Sequence, residues 1–391
     1  MGNESGKDVT STVLVSNRTI VLHGVRGDDS LHQLACKYSA SFQLDHLPYP
    51  AEGQQILKAV TKRTQDGAID HSHVVAVFLD ATPSGAEAPA DAADSASGRL
   101  EHMLRLAREI RESCRHAFIL LWHPAATEDA SMRIAAFDSG VNMVSCYPDH
   151  AEELLRKLAS IGSPERGRSP AAGRCSCAWC GQTGLTPDEL WLHQPLYHIY
   201  DANRSGACSV CGQAVANLAV HIHEEHHPGG PWREERRGVG AAVVVHRRRD
   251  NKFLMVQEFA GQGYWVPGGA TDAGETVRES AVRECLEEAG VKVQLQGLAE
   301  VDFLVCPKTQ RPLWRLSVFY ASLADEEAPP KTVPCFESAG ACWVGPDELD
   351  AVPLRSSRIP SLWFPHFASG GPCKPLALPP ELRHLFKDVE F

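Results

Sequence analysis

The chain has 391 residues, 43% of them apolar and 22% charged, the balance of an ordinary soluble protein of two or three domains at roughly 150 residues each. Its 49 acids against 38 bases leave a net charge of −11, which repels phosphate backbones and argues against broad nucleic-acid binding. No apolar run approaches the ~18 residues of a membrane span; the polar opening MGNESGKDVTST predicts no secretory signal, and Gly6 stands where a myristoylation motif wants Ser or Thr.

From 12 to 162, apolar strands alternate with amphipathic helices. Strands fit TIVLHGV (19–25), FQLDHL (42–47), VVAVFLDA (74–81), AFILLW (117–122) and VNMVSC (141–146). Helices fit DSLHQLACKYS, GQQILKAVTKR, GRLEHMLRLAREIRESC, EDASMRIAAFDSG and HAEELLRKLAS. Apolar strands between helices predict a parallel, doubly wound, flavodoxin-like sheet covered on both faces. The segment at 83–98, PSGAEAPADAADSASG, has almost nothing to bury and is expected to be a disordered insertion.

The run AFDSGVNMVSCYPDHAEELLRKL resembles the last third of a response-regulator receiver domain, and Asp80 falls where that family has its phosphoacceptor. His23-Gly24-Val25 stand where the family places acidic metal ligands, Trp122-His123 where it has a hydroxyl, and Tyr147 where it has a lysine. Phosphoryl transfer needs a metal and a cation. The resemblance therefore implies a pseudo-receiver that docks partners or dimerises.

A Ser/Pro/Arg/Gly linker at 163–174 leads to a Cys/His cluster at 175–227. Thirteen cysteines, five of them between Cys175 and Cys211, point to metal rather than disulfides in a chain without an export signal. CAWCGQTGLTPDELWLHQPLYH (177–198) and CSVCGQAVANLAVHIHEEH (208–226) repeat one pattern, C-x2-C-G-Q with a Leu three residues before an H-x4-H pair. Two thiolates on a turn and two imidazoles a helical turn apart can close a tetrahedron on structural zinc. The expected ligands are Cys177, Cys180, His193 and His198, then Cys208, Cys211, His221 and His226, with His223 and His227 as an alternative second pair. The pattern resembles tandem C2H2 zinc fingers. However, acids at Asp188, Glu189, Asp201, Glu224 and Glu225 oppose the one base Arg204, and Pro195, between the two first-finger histidines, distorts that helix. A structural or protein-binding module is expected, not a DNA reader.

The run GATDAGETVRESAVRECLEEAGV, Gly269 to Val291, reads as a loop and a helix from about Glu275 or Thr276 to a Gly290 stop. Glu284, Glu287 and Glu288, at i, i+3 and i+4, share one helical face. Their mutual repulsion is relieved by a hard divalent cation, Mg²⁺ or Mn²⁺. The run satisfies G-x5-E-x7-R-E-U-x-E-E-x-G-U, with Cys285 at the first apolar position, and residues 236–391 resemble the Nudix hydrolase family. The resemblance implies a mixed-sheet α/β/α sandwich. In it Glu284, Glu287, Glu288 and the Gly269 carbonyl bind magnesium, Arg283 orients a catalytic carboxylate, and Glu275 braces the loop. It also implies a general base, either Glu337 or one of Glu287 and Glu288. Pro307 resembles a proline of ADP-sugar hydrolases, although CPKTQRP is equally a hairpin turn.

The resulting expectation is three modules, at 12–162, 175–227 and 236–391, in a cytoplasmic or nuclear protein. Its function is hydrolysis of the diphosphate of a nucleoside diphosphate linked to another moiety. The alternative is a regulatory or scaffolding protein that senses a nucleotide without turnover. Expected partners are a small diphosphate substrate and a protein docked on the receiver-like domain or the zinc module, with no membrane.

Overall fold

A computed structural model describes residues 18–25, 29–49, 55, 58, 62–63, 69–70, 74–82, 96–114, 117–161, 175–198, 201, 204–228, 230, 238–258, 262–305, 312–387 and 389–391. The opening residues, the linker at 163–174, Pro307 and most of the helix expected at 53–63 lie outside them. Of the acidic segment at 83–98, residues 96–98 are described, and they begin a helix.

Strands β1 (Thr19–His23), β2 (Gln43–Leu47), β3 (Val74–Asp80), β4 (Phe118–Trp122) and β5 (Met143–Ser145) form a parallel sheet ordered β2-β1-β3-β4-β5. The helices are α1 (Ser30–Lys37), α2 (Ala96–Ser113), α3 (Ala130–Asp138) and α4 (Pro148–Ser160). Successive strand residues serve opposite faces. Ile20 and Leu22 meet Leu31, Leu34, Leu154 and Leu155 of α1 and α4. Val21 and Val77 meet Met103, Ala107, Met132 and Ala136 of α2 and α3. Burial on both faces explains why β1, β3 and β4 read as continuous apolar runs, while the edge strand β2, QLDHL, is only half-buried.

Two hairpin–helix units follow. Cys175–Ser176 pairs with Thr183–Leu185 ahead of α5 (Pro187–His198), and Gly206–Ala207 pairs with Ala214–Val215 ahead of α6 (Leu218–Glu225). Pro195 lies inside α5 without ending it.

The C-terminal part is a mixed seven-stranded sheet. Its strands are β6 (Val239–Arg247), β7 (Lys252–Gln257), β8 (Tyr264–Trp265), β9 (Gly268–Ala270), β10 (Val293–Val305), β11 (Pro312–Leu323) and β12 (Gly340–Val344). The path is β8-β7-β6-β11-β10, with β9 also on β6 and β12 on β7; β6 and β11 are parallel and the other ladders antiparallel. Helix α7 (Val277–Ala289) lays Val277, Ala281, Cys285 and Ala289 on one face with Val243 and Phe319. Helix α8 (Arg358–Ala368) lays Ile359, Phe364 and Phe367 on the other with Val244 and Tyr320.

The three stretches share cores. Trp343 N of β12 donates to Thr127 O at 2.8 Å. Arg133, fully buried, bridges Ala126 O at 3.0 Å and Gln257 Oε1 at 3.1 Å. Arg247 forks onto Glu128, with Nη1 to Oε1 at 2.9 Å. Asn142 Nδ2 reaches Tyr197 O at 3.2 Å, joining the parallel sheet to α5. Among the described residues, no helix is long and apolar enough to cross a membrane.

Candidate active site and metal centres

Helix α7 is locally determined at both ends. Thr276 Oγ1 accepts from Glu279 N at 3.1 Å while Glu279 Oε2 accepts from Thr276 N at 2.9 Å, a reciprocal capping box. Gly290 closes the helix at φ 74°, a conformation that disfavours any residue with a Cβ. Between these ends the helical period turns Glu284 and Glu288 inward, 6% and 8% exposed, and leaves Glu287 at the surface.

Arg283 gathers the acids of this face. Its Nε and Nη2 fork onto Glu275 at 2.9 and 3.0 Å, and Nη1 reaches Glu284 at 3.0 Å and Glu287 at 2.9 Å. Nη2 also donates to Ala270 O at 2.8 Å. Glu275 Oε2 in turn accepts from Asp272 N at 3.1 Å, bracing the loop. Glu288 Oε2 accepts from Gly268 N at 2.8 Å. A Cβ on Gly269 would collide with the Glu284 carboxylate. The glycine therefore lets the carboxylate lie against the backbone of β9.

Electrostatics mark the same place. Burial pushes the Glu284 carboxyl up to about 7, against the pull of Arg283. Burial also holds Glu288 well above the usual carboxylate range, reinforced by Glu258 and Glu284. Glu337 is raised by burial and by Glu287, with Lys331 and Arg283 opposing. Glu258, 6% exposed and held by Arg355 Nη1 at 2.9 Å, joins the cluster although the sequence reading passed over it. Its signal was an acid directly after the apolar strand KFLMVQ. Asp272, with Oδ2 3.5 Å from Arg283 Nε, was missed in the same way. Crowded carboxylates, Glu284, Glu288 and Glu337 among them raised by burial, beside the glycine backbone of β9, fit a hard divalent cation.

Both Cys/His sets assemble. Cys177, Cys180, His193 and His198 present ligand atoms within 4.8 Å of one another, as do Cys208, Cys211, His221 and His226. In the first set Cys180 Sγ lies 3.4 Å from His193 Nε2, and the two histidine Nε2 atoms are 3.2 Å apart. In the second, Cys211 Sγ to His221 Nε2 is 3.3 Å and Cys208 Sγ to His226 Nε2 is 3.4 Å. The Cys180 thiol is lowered to about 7, chiefly by its hydrogen bond with Cys177. Asp201 Oδ2, 2.6 Å from His198 Nδ1, orients that ring with Nε2 toward the thiols; sequence reasoning had not given it a role. The alternative pair sits elsewhere: His223 stacks on Phe336 and His227 meets Trp191 edge-on. Sulfur and imidazole donors in closed sets of four fit zinc.

Asp80 is buried at the end of β3. Its Oδ1 accepts from Thr82 N at 2.8 Å, and Arg99 donates Nε to Asp80 O at 3.1 Å and Nη2 to Gly24 O at 3.2 Å. Arg99 also stacks over Tyr49, 4.4 Å from its ring centre.

Residues 236–364 match the NUDIX domain. A putative 8-oxo-dGTP diphosphatase of Bacillus subtilis is 33% identical over 122 residues, 31% of this chain and 76% of that protein. Phosphatase NudJ of Escherichia coli is 35% identical over 125 residues, 31% of this chain and 77% of that one. NAD-capped RNA hydrolase NudC of Photorhabdus laumondii is 30% identical over 96 residues, 22% of this chain, and the match spans only 34% of that protein's length. Among solved structures, a NUDIX hydrolase from Nitrosomonas europaea is 20% identical, with a TM-score of 0.29, over 43% of this chain and 82% of that one. The chain belongs to the Nudix hydrolase family, through its C-terminal third.

Proposed function

We propose that this protein is a Mg²⁺- or Mn²⁺-dependent pyrophosphohydrolase acting on a nucleoside diphosphate linked to another moiety. The observation that carries this reading is Arg283. It clamps Glu275 in a fork while holding Glu284 and Glu287 beside the Gly268–Gly269 backbone that receives Glu284 and Glu288. Glu284, Glu287, Glu288 and the Gly269 carbonyl would hold the cation, which supplies charge neutralisation for the diphosphate and a more acidic water. Arg283 fixes the direction of three carboxylates, and Glu275 holds the loop. Glu337 is the preferred proton acceptor because it faces the acidic cluster from a separate segment and its burial strengthens its affinity for a proton; Glu287 and Glu288 are the other candidates.

Both Cys/His sets are read as structural zinc sites that also present a protein-docking surface. The parallel sheet is read as a flavodoxin-like pseudo-receiver, because Arg99 spans the backbone around Asp80 where phosphoryl transfer would need room for a metal. The module bounds are read as 12–162, 175–227 and 236–391. The printed activities of the relatives, on 8-oxo-dGTP and on NAD-capped RNA, extend the substrate class to be tried.

The test is turnover of the full chain with Mg²⁺ on ADP-ribose, NADH, dinucleoside polyphosphates, diphosphoinositol phosphates, 8-oxo-dGTP and NAD-capped RNA. Release of a mononucleotide from any nucleotide substrate supports the reading. Binding without turnover across the panel replaces it with a nucleotide sensor.

A further inference from the structure

Segment 331–338, Lys-Thr-Val-Pro-Cys-Phe-Glu-Ser, lies between β11 and β12, passes the end of α7 and carries Glu337. Its ends belong to the Nudix fold. Lys331 N donates to Ala289 O at 2.8 Å, Ala341 N to Lys331 O at 2.8 Å, and Ser338 Oγ to Glu288 O at 2.5 Å. Its middle does not. Thr332 Oγ1 donates to Ser145 Oγ of β5 at 2.9 Å and lies 2.9 Å from His150 Nδ1 of α4. Val333, 1% exposed, belongs to the apolar cluster that holds Leu154, Leu190 and Leu218. Phe336 lies flat on His223 of α6, ring centres 3.6 Å apart and planes 5° from parallel. His223 is in turn stacked at 15° on Trp191 of α5, whose Nε1 donates to His223 O at 3.3 Å. His223 Nε2 stands 4.0 Å from Glu337 Oε1.

The stack Trp191–His223–Phe336 therefore crosses from the first Cys/His unit through the second to the residue before Glu337. We infer that Phe336 is a positioning residue: its ring on His223 sets the Glu337 carboxylate, so that the Cys/His module completes the Nudix active site. This rests on the hydrolase reading above. Its physical basis is that a phenyl ring pinned between a conjugated ring and an apolar cluster has one well-packed position, and the neighbouring backbone inherits that order. A displacement of about 1 Å in an acid–base group costs up to ~100-fold in rate. The same arrangement assigns His223 to the domain junction rather than to metal.

The experiment uses the full chain carrying Phe336→Ala, Phe336→Tyr or Glu287→Gln. Phe336→Ala is expected to lower kcat by ~10-fold or more with KM within about two-fold, and Phe336→Tyr, which keeps the ring, to restore kcat to within about two-fold. Amide exchange over 335–339 is expected to rise in Phe336→Ala while exchange in α7 and Mn²⁺ affinity hold. Native kcat and unchanged exchange in Phe336→Ala would overturn the inference, as would equal loss in the Ala and Tyr variants. Absence of turnover in the native chain across the substrate panel would instead overturn the underlying hydrolase reading, and loss of turnover in Glu287→Gln supports it.

Discussion

At the scale of the residue, Glu288 combines nearly complete burial, a backbone donor from Gly268 and repulsion from Glu258 and Glu284. Such a group keeps its proton or takes a cation, so its charge matters more than its shape. Glu287→Gln and Glu288→Gln are each expected to lower kcat by ~10²-fold or more, because amides keep volume and lose the anion. Steady-state assays with Mg²⁺ check this, and native turnover in both variants would remove the cation assignment. His23 offers a separate test far from that site. It is fully buried, and desolvation pushes its imidazole down to about 4, with Leu47 O opposing and His102 and Arg99 assisting. The unfolded chain takes up this proton near 6.5, so the stability His23 contributes is whole above that pH. It is lost as pH falls toward 4, by roughly 3 kcal/mol across the interval. Denaturant unfolding at pH 7, 5.5 and 4.5 should show a steeper loss in the native chain than in His23→Gln.

At the scale of the element, α7 was the most legible part of the chain. Its start, its stop and the shared face of Glu284 and Glu288 follow from the 3.6-residue period and from caps within a few residues of each end. Thr276→Ala is expected to cost about 1 kcal/mol, since Glu279 N loses its acceptor. Equilibrium unfolding measures this, and kcat should hold because the cap lies about two turns before Arg283. The strands of the parallel sheet were also legible to within a few residues, and in β1, β3 and β4 burial on both faces leaves an apolar run. Asp201 was not: an acid three residues after a histidine is ordinary until the fold turns it onto His198 Nδ1. His221 and His226 are the pair the repeat favours, with His223 and His227 left open as the alternative, and it is His221 and His226 that assemble with Cys208 and Cys211. His223 and His227 have the helical i, i+4 spacing, whereas His226 lies just past α6, where the end of the helix lets its Nε2 approach Cys208 Sγ at 3.4 Å while His221 Nε2 approaches Cys211 Sγ at 3.3 Å.

At the scale of the whole molecule, closed sites of four protein ligands act on folding, because the unfolded chain has no preformed site. Elemental analysis is expected to find close to two zinc ions per chain. Cys177→Ser or Cys208→Ser should each remove one ion and raise amide exchange across 175–227. A metal content near zero would discard the zinc reading. The three modules are packed together, since Thr332 and Val333 are buried and Phe336 is half-buried against the other two modules, and Trp343 N of β12 donates to Thr127 O.

Local geometry explains what the sequence by itself determined: the loop–helix run with its carboxylate face, the paired CxxC and H-x4-H spacings, the alternation of strand and helix. Each depends on residues less than about two dozen positions apart, within which helical and strand periods and turn chemistry act. The tertiary structure decided the rest. Glu258 and Glu337 reach the acids of α7 from β7 and from the segment before β12. Arg99 reaches across from α2 to Gly24 and Asp80, and Arg133 bridges 124 positions to Gln257. Those meetings depend on which sheets and helices exclude water from one another, and desolvation is a property of the assembled fold that no spacing along the chain encodes.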